Sequence, residues 1–430
     1  FLEYPHDGNF CCDGLVYPDR RPHTGFAEYK NVIRPLSAQL TESNRIRISN
    51  HLDFLSTDEF AAADYVLTRD GEIISSGKLD LPEIQPRESA EIDLSCALPE
   101  DGLCLLTITT RQKESHPLTT KGHILGIDQL TLRQARVRPQ VPAARGTAQV
   151  QETPTHLRIT GENFNYVFSK ESGLFDSMVF DQNSLLTKPM HFNIWRAPTD
   201  NDRNIRLAWE EAGFDKIKPR VYEVGVLQEN DKVQIISTLS LGAVYRQRAV
   251  KLKNTITIDG GGKVSIAFHG EIDPRMPFLP RFGLRLFLPK EMDETEYFGF
   301  GPNESYIDKR NASVLGLYHT TAARNHEDYI KPQENGSHVG CEYVKVQKKQ
   351  GVGLLAYGDD PLSFSISAYT QEELTRRMHN HELIPSEDTI LCLDYAQSGI
   401  GSNSCGPVLL EKYRFKPEIF EGSITLAPFA

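Results

Sequence analysis

Residues 63–81 read ADYVLTRDGEIISSGKLDL, and this stretch carries the pattern that decides the fold. Apolar and β-branched side chains alternate with polar ones on both sides of Asp70-Gly71, a pattern typical of two short strands. Asp and Gly tolerate the positive φ of a type I′ turn, so this pair between two strand patterns predicts a β-hairpin. We therefore expect antiparallel strands in this part of the chain.

Strand patterns of the same kind surround the hairpin, for example NRIRISNHLDFLS at 44–56 and GLCLLTITTR at 102–111. About seven of them lie between residues 34 and 137, at the spacing of a sandwich of roughly 100 residues. This spacing predicts an immunoglobulin-like β-sandwich over residues 34–140.

A linker follows at 133–151, RQARVRPQVPAARGTAQVQ, which is poor in large apolar residues and contains Pro and Gly. Strand patterns then resume after residue 151 and continue to the end without a second linker, which predicts one large sandwich rather than two small ones. Helical patterns are short, the best being RLAWEEAG at 206–213 and TQEELTRRMH at 370–379. The sequence thus predicts an all-β protein.

The first 33 residues differ from the rest, because they are loop-rich and turn helical only at GFAEYKNV, 25–32. They contain little that could form a core of their own. The chain opens on FLEYPHDGNF, which reads like the interior of a longer protein. We interpret residues 1–33 as the tail of a preceding domain.

The composition excludes several classes of protein. The chain has 430 residues and a formal charge of −11, with no dense run of Lys and Arg, so we expect neither a nucleic-acid partner nor binding to an anionic membrane. No window approaches 18 consecutive apolar residues, and we expect a cytoplasmic protein with the periplasm as the alternative. Seven cysteines without a C-x-x-C pair argue against a disulfide framework or a zinc site, and Cys96, Cys104 and Cys392 are expected to be small buried hydrophobes.

Three polar clusters interrupt the strand patterns. In WRAPTDNDR, 195–203, the Asp-Asn-Asp run could bind a sugar hydroxyl or a hard cation, or it could cap the turn while Arg196 pairs internally. In YFGFGPNESYID, 297–308, we assign Phe298 and Phe300 to the core and leave both a structural and a binding role open for Glu304 and Tyr306. The third cluster, YIKPQENG at 329–336, predicts a hairpin at its Asn-Gly pair.

The chain offers no compact carboxyl pair that would serve as the acid and nucleophile of a glycosidase. Three histidines, His191, His269 and His338, could act as bases, as in a sugar epimerase built on a large β-sandwich. Hydrogen-bonded structural histidines are the alternative interpretation of all three.

Five segments together resemble the carboxy-terminal part of the large multidomain β-galactosidases of glycoside hydrolase family 2. They are FCCDGLVYPDRRPH at 10–23, WRAPTDND at 195–202, YFGFGPNESYIDK at 297–309, YIKPQENG at 329–336 and SGIGSNSCGP at 398–407. The resemblance implies that residues 1–33 are the end of a TIM barrel, 34–140 an immunoglobulin-like β-sandwich, and 146–430 a large β-supersandwich of the galactose-mutarotase-like kind. It also places both catalytic glutamates upstream of Phe1.

The same resemblance suggests supporting residues for a galactose site. It implies that Phe10, through its carbonyl, and Asp13, through its side chain, bind sodium beside the galactose 6-hydroxyl, with His6 in the same loop as a weaker metal candidate. Asn204 stands where a relative has a glycine hinge in a loop that closes over the sugar. Cys405 stands where many relatives have a tryptophan that stacks on the leaving-group sugar, so this protein is expected to hold that sugar less tightly.

The resulting hypothesis is a part of a retaining β-galactosidase that supports the sugar site and has no catalytic residue of its own. The expected partners are a galactoside, the upstream catalytic domains and further copies in a homo-oligomer, and the expected ions of the intact enzyme are sodium and magnesium. Two other functions stay open. A carbohydrate-binding module would use exposed aromatics near 297–306, and an aldose-epimerase-like protein would need a His and a Glu in one cleft.

Overall fold

The computed structural model describes residues 14–42, 45–93, 98–141, 146–349, 351–401 and 406–430. In these ranges the α-helices are α1 (Thr24–Val32), α2 (Thr57–Phe60), α3 (Ile205–Ala212) and α4 (Gln371–Arg376). Short 3-10 turns lie at Asp200–Asp202, Phe214–Lys216, Asn380–Glu382 and Glu411–Tyr413. The helices α1, α3 and α4 fall where the sequence predicts helical segments. None of the described helices has the length and apolar character needed to cross a membrane.

The strands of the smaller sandwich are all antiparallel. They are β1 (Leu36–Leu40), β2 (Ile46–Asn50), β3 (Ala61–Arg69), β4 (Glu72–Leu79), β5 (Ser89–Ile92), β6 (Cys104–Gln112) and β7 (Ile124–Arg133). They form a three-stranded sheet, β1-β2-β5, and a four-stranded sheet, β4-β3-β6-β7. The predicted hairpin between β3 and β4 is confirmed, with φ angles of 50° at Asp70 and 93° at Gly71.

The core of this sandwich lies between its two sheets. Leu36 and Ile48 come from the smaller sheet, and Leu67, Leu106 and Leu130 come from the larger one. Every second residue of these strands faces inward, because successive side chains of a strand point to opposite faces. The immunoglobulin-like β-sandwich is therefore confirmed as a fold class.

Nineteen strands follow in the described part of the large sandwich. They are β8 (Gln149–Glu152), β9 (His156–Thr160), β10 (Phe164–Ser169), β11 (Phe175–Phe180), β12 (Asn183–Ser184), β13 (Lys188–Asn193), β14 (Lys218–Glu229), β15 (Lys232–Gly242), β16 (Arg248–Ile258), β17 (Val264–Ile272), β18 (Arg281–Pro289), β19 (Glu294–Gly301), β20 (Val314–Thr320), β21 (Ser337–Cys341), β22 (Tyr343–Gln347), β23 (Gly353–Gly358), β24 (Leu362–Ser367), β25 (Asp388–Gln397) and β26 (Ile419–Phe429).

These strands form three antiparallel sheets around one continuous apolar core. The strand orders are β12-β11-β10-β9-β8, β13-β18-β25-β24-β21 and β14-β15-β16-β17-β26-β23-β22-β19-β20. Residues of all three sheets, such as Phe168, Leu286 and Ile256, belong to the same buried cluster. This is the large β-supersandwich of the predicted fold class. Cys104 and Cys392 are buried as predicted, and Cys96 lies outside the described residues.

The two sandwiches and α1 meet along a shared boundary. Leu105 of β6 packs with Phe298 of β19 in one buried cluster, as expected for a core role of Phe298, whereas Phe300 is only half-buried. Gln129 of β7 exchanges two hydrogen bonds, of 2.8 and 2.9 Å, with the backbone of Leu315. The side chain of Glu28 in α1 accepts hydrogen bonds from the Asn311 side chain and the Ala312 N–H, shortly before β20. Helix α1 is thereby fixed against the large sandwich.

The predicted hairpin at Asn335-Gly336 is wrong. Gly336 does have a positive φ of 67°, but the strand that follows it, β21, pairs with β24 and not with the segment before the turn. Residues 321–336 form a series of turns and bends instead. The Gly336 N–H bonds to the carboxylate of Glu304, at 2.9 Å. A contact distant in sequence thus decides the conformation of this segment.

Candidate functional site

Four loops of the large sandwich converge beside the start of α1. We refer to residues 195–202 as the first loop, 304–309 as the second, 329–336 as the third and 398–401 as the fourth, and to their meeting place as the junction. The first three belong to the segments that the sequence singled out as polar clusters, and the fourth belongs to SGIGSNSCGP at 398–407, one of the segments that carry the family resemblance. Side-chain hydrogen bonds connect all four, as described below, so the junction is a single structural unit.

Arg196 fixes the first loop to the fourth. Its side chain is fully buried, and Nε and Nη2 donate to the two carboxylate oxygens of Asp202 at 3.0 and 2.7 Å. Nη1 donates to the Ser398 carbonyl at 2.6 Å, and Nη2 also donates to the Gly399 carbonyl at 3.0 Å. The internal pairing of Arg196, one of the two interpretations of this segment, is therefore observed. Asp202 is a structural residue.

Arg281 of β18 links the sheet to the third loop. Its side chain is fully buried, donating to both oxygens of Asp394 at 3.0 and 2.6 Å and to Glu334 at 2.9 Å. Burial opposes the charge of Arg281, but the two carboxylates hold its pKa well above the ordinary value. Burial also raises the pKa of Asp394 to about 6, against the lowering effect of Arg281. This cluster depends on its pairing, since each charge would be costly alone.

Glu304 connects the second and third loops to α1. Its buried carboxylate accepts hydrogen bonds from Lys309 Nζ at 2.7 Å, from Thr24 Oγ1 at 3.1 Å, from the Gly336 N–H at 2.9 Å and from the Tyr329 hydroxyl. Burial alone would raise its pKa, but Lys309 and the hydrogen bonds outweigh burial and lower it. Glu304 is therefore ionised at neutral pH. Of its two open roles, this geometry supports the structural one.

His338 lies in β21 behind the third loop and is fully enclosed. Its Nε2 is 2.7 Å from Asn325 Oδ1, and its Nδ1 is 3.0 Å from the Phe300 carbonyl and 3.1 Å from the Tyr297 hydroxyl. Burial lowers the pKa of His338 to about 4, against the raising effect of the Phe300 carbonyl, and the residue is a neutral structural histidine rather than a base.

We expect this histidine to make stability fall in mild acid. The folded-state pKa of about 4 lies below the unfolded value of 6.5, so between these two values the unfolded chain binds more protons. The stabilising contribution is present above pH 6.5 and is lost as the pH falls, by about 2 kcal/mol at pH 5. Urea unfolding at pH 7.5 and pH 5 measures this loss in the free energy of unfolding. His338→Gln should lose about 2 kcal/mol less than the parent, and His269→Gln, at a half-buried histidine of β17, serves as the control.

Two adjoining cavities open at the junction, with volumes of about 300 and 390 Å³. Both are lined by His23, Gly25, Asp200, Tyr329 and Gln333. Gln333 Nε2 donates to Asp200 Oδ2 at 3.1 Å, and Gln333 Oε1 accepts from the Asp200 N–H at 3.0 Å. Asp200 is exposed, so its carboxylate can be reached from the cavities.

An aromatic column forms one wall. The rings of Tyr17 and His23 lie 4.5 Å apart, and those of His23 and Tyr329 lie 5.1 Å apart. Burial and the nearby charge of Lys309 lower the pKa of His23, which keeps this imidazole neutral at pH 7. Asp308 also lines the larger cavity, and its carboxylate accepts the backbone N–H groups of the fourth loop at 3.0 and 2.8 Å. The cavities therefore combine aromatic surface with hydrogen-bonding groups.

This arrangement is suited to binding and not to glycosidic chemistry by itself. A retaining glycosidase needs two carboxyl groups about 5–5.5 Å apart on either side of the scissile bond. Among the described residues of the junction, the buried carboxylates of Asp202, Glu304 and Glu334 are each bound to a cationic side chain. Asp200 presents a carboxylate at both cavities, and Gln333 fixes its position, because the Gln333 amide group donates to Asp200 Oδ2 and to the Lys331 carbonyl, each at 3.1 Å.

Four of the predicted site residues, His6, Phe10, Asp13 and Cys405, lie outside the described residues. Gly14 lines the smaller cavity, and Gly401 lines the larger one. Asn204 is exposed at the start of α3, with φ −89° and ψ −49°, a right-handed helical conformation that requires no glycine. It lines neither cavity. A substrate contact by Asn204, Asp13 or Cys405 stays a prediction.

Sequence reasoning missed His23, Thr24 and Lys309 as members of the site. Thr24 and Lys309 are 285 positions apart, yet Lys309 Nζ donates to Thr24 Oγ1 at 2.8 Å. The sequence signal that could have pointed to these residues is that the polar segments of the large sandwich, which contain Pro and Gly, all interrupt strands. The sequence does not show that these segments meet, because their meeting depends on how the strands are ordered in the sheets.

Comparison with known families gives the junction its context. The family described as "Beta galactosidase small chain" matches residues 160–426, which include all four loops. The chain belongs to the β-galactosidase small-chain family. A second family, "Beta-galactosidase, domain 4", matches residues 46–133, in the smaller sandwich.

Curated relatives named "Beta-galactosidase" align with nearly the whole chain. A "Beta-galactosidase" of Actinobacillus pleuropneumoniae is 41% identical over 423 residues, which cover 98% of this chain and 41% of the relative. A "Beta-galactosidase" of Staphylococcus xylosus is 33% identical, over 99% of this chain and 43% of the relative. The chain therefore spans less than half the length of these relatives.

Among solved structures, a putative aldose 1-epimerase of Escherichia coli K12 aligns with a TM-score of 0.35 at 8% identity, over 65% of this chain and 99% of the other. A galactose 1-epimerase of Lactobacillus acidophilus NCFM aligns with a TM-score of 0.34 at 9% identity, over 66% and 99%.

Proposed function

We propose that this chain is the supporting part of a retaining β-galactosidase and that its junction completes a galactoside site whose catalytic carboxylates lie on another part of the enzyme. The observation that carries the proposal is the convergence of four loops on cavities lined by the Asp200 carboxylate, which Gln333 positions, and by the aromatic rings of His23 and Tyr329. Hydrogen-bonding groups and aromatic surface together fit a neutral sugar.

The chain's own residues would bind and orient the sugar. Asp200 would accept a hydrogen bond from a sugar hydroxyl, and Gln333, which holds that carboxylate in place, would keep its direction fixed. The ion pairs of Arg196 and Arg281 behind the cavities would keep the loops rigid, which lowers the entropy lost on binding. Protonation and nucleophilic attack would belong to the partner part, since a glycosidase needs an acid and a nucleophile facing each other.

The residues that the resemblance assigns to sodium, Phe10, Asp13 and His6, lie outside the described part of the chain. Sodium and magnesium therefore remain part of the proposal for the intact enzyme, and no step passes through either ion. The same holds for Cys405, which we propose lies on the leaving-group side, and for the homo-oligomer. A cysteine presents no ring face for stacking, so we expect weaker binding of the leaving-group sugar.

Hydrolysis of a chromogenic β-galactoside tests the proposal. We expect no turnover by the purified chain, and turnover once a partner carrying the remaining part of the enzyme is added. Asp200→Asn should lower the activity of the mixture by about tenfold or more, because a hydrogen bond to a charged group contributes about 1.5–3 kcal/mol.

The control is Lys121→Gln, which removes one member of an exposed ion pair on the smaller sandwich, far from the junction. This variant should give the activity of the parent in the mixture. Turnover by the purified chain alone would show that the assignment of chemistry to the partner is wrong. If the mixture that contains Asp200→Asn is as active as the mixture that contains the parent chain, the junction is not part of the galactoside site.

A further inference from the structure

A larger cavity of about 500 Å³, which we call the lateral cleft, opens on another side of the large sandwich. It is lined by β13, by Arg285 of β18, by the start of α4, by the loop after β10 and by the turn Phe214–Lys216. None of the described residues that line it also lines the junction cavities. Its volume lies within the range of about 300–1,000 Å³ that small-molecule sites occupy.

Arg285 supplies a fixed donor at the lateral cleft. Its Nη1 donates to both oxygens of Glu372, at 2.8 and 3.0 Å, and to Gln371 Oε1 at 3.0 Å. The guanidinium lies over the ring of Phe287, 5.2 Å from its centroid. No described residue accepts a hydrogen bond from Nε or Nη2 of Arg285. The planar group is therefore held in one orientation with donors left for a ligand.

His191 of β13 stands beside Arg285. Its ring packs edge-on against Phe287 with a centroid distance of 5.5 Å, and no described residue hydrogen-bonds to either ring nitrogen. Partial desolvation of the ring and the charge of Arg285 lower the pKa of His191, whereas the charge of Glu372 raises it. A neutral imidazole offers one donor and one acceptor, which is the pairing that a hydroxyl group requires.

The floor of the lateral cleft is apolar. Leu174, Met190, Trp195 and Phe214 line it and are nearly or fully buried. Trp195 is held from two sides, because its carbonyl accepts from Gln371 Nε2 at 2.7 Å and its indole N–H donates to Thr375 at 3.4 Å. A rigid floor of this kind can pack against the C–H groups of a ligand.

The charges of the lateral cleft restrict the chemistry of its ligand. The lining contains four carboxylates and two cationic side chains: Glu171, Asp176, Asp215, Glu372, Lys218 and Arg285. An excess of carboxylates disfavours phosphates and other anions. Glu372 also already neutralises Arg285. Neutral hydroxyl groups both donate and accept hydrogen bonds, so they match the donors of Arg285, the imidazole of His191 and the carboxylates of the lining.

We propose that the lateral cleft is a second carbohydrate site, which binds a neutral mono- or disaccharide between His191 and Arg285 and above Trp195. The sugar hydroxyls would bond to the free donors of Arg285 and to the imidazole, and one apolar sugar face would lie on the floor. This site is independent of the galactoside site proposed at the junction. Its role is binding, and no bond in the ligand is broken.

Calorimetric titration of the whole chain with galactose, glucose and lactose tests this inference. We expect binding of at least one of these sugars in the millimolar range, weakened about tenfold or more by His191→Ala and by Arg285→Met. His191 is exposed, so its replacement should leave the fold intact even if Arg285→Met does not fold. The matched control is His269→Ala, which replaces a half-buried strand histidine that pairs with Glu421 and does not line the cleft.

Asp200→Asn separates this site from the junction. Sugar binding that survives Asp200→Asn but is lost in His191→Ala supports the lateral cleft, whatever the galactosidase assay shows. Binding that is lost in Asp200→Asn and unchanged in His191→Ala belongs to the junction and overturns the inference. Failure of all three sugars to bind also overturns the inference. The inference is overturned as well if inorganic phosphate binds at the lateral cleft more tightly than the sugars do.

Discussion

Replacement of Arg281 by methionine is expected to lower the free energy of unfolding by about 3–5 kcal/mol. Methionine retains much of the apolar stem of arginine but removes the partner of Asp394, which is fully buried, and of Glu334, which is nearly so. Two uncompensated carboxylates would then remain in the core of the large sandwich. Urea unfolding followed by tryptophan fluorescence measures the change, since both tryptophans of the chain, Trp195 and Trp209, lie in that sandwich.

Two further measurements separate charge from packing. The surface variant Arg275→Met breaks an exposed pair with Asp273 and should cost less than about 1 kcal/mol. Adding Asp394→Asn and Glu334→Gln to Arg281→Met should recover part of the loss, because no buried charge is left unpaired. If the triple variant is no more stable than Arg281→Met, the loss comes from packing and the ion-pair explanation is wrong.

The destabilisation should also shrink in acid. Burial already raises the pKa of Asp394 to about 6 in the presence of Arg281, and removing the cation raises it further. A carboxyl whose folded-state pKa lies above the unfolded value destabilises the fold when it must ionise, and this cost falls as the pH drops towards the folded-state pKa. The difference between parent and variant should therefore be smaller at pH 5 than at pH 8.

Local patterns predicted the parts of the fold that local physics determines. The hairpin at Asp70-Gly71 follows from turn chemistry and period-2 alternation in adjacent residues, and the structure has it. Arg196 and Asp202 are six positions apart, so their pairing could be raised as one interpretation from the sequence. The Asn335-Gly336 hairpin failed because the carboxylate of Glu304, 32 positions away, takes the Gly336 N–H.

The junction could be predicted only in part for the same reason. The polar loops were visible one by one, but Arg281 is separated from Glu334 by 53 positions and from Asp394 by 113. Arg281 and Asp394 lie on neighbouring strands of one sheet, β18 and β25, and Glu334 lies just before β21 of the same sheet. Nothing in a window of ten or twenty residues encodes that meeting. The site residues suggested by resemblance, Asp13 and Cys405 among them, fall outside the described residues and stay predictions.

Replacement of Glu304 by glutamine is expected to cost about 2–4 kcal/mol and to release α1 from the large sandwich. All four partners of this carboxylate are donors: Lys309, Thr24, Tyr329 and the Gly336 N–H. A glutamine would set its own NH2 group against one of these donors and leave the nearly buried Lys309 ammonium without its counter-charge. The isosteric change therefore replaces hydrogen bonds with a repulsive contact at no change in volume.

Hydrogen exchange distinguishes loss of this anchor from general destabilisation. Amides of Thr24–Val32 should exchange faster in Glu304→Gln, while those of β15 and β16 in the distant part of the nine-stranded sheet keep their protection under native conditions. Glu28→Gln is the matched control, since Glu28 holds the same helix through exposed bonds to Asn311 and Ala312 and should change protection much less. Because Gly25 of α1 and Tyr329 line the junction cavities, the release of α1 should also lower the activity of the mixed enzyme. Unchanged protection of α1 in Glu304→Gln would mean that the helix is held by Glu28 and Asn31 instead, and that the buried carboxylate serves the third loop alone.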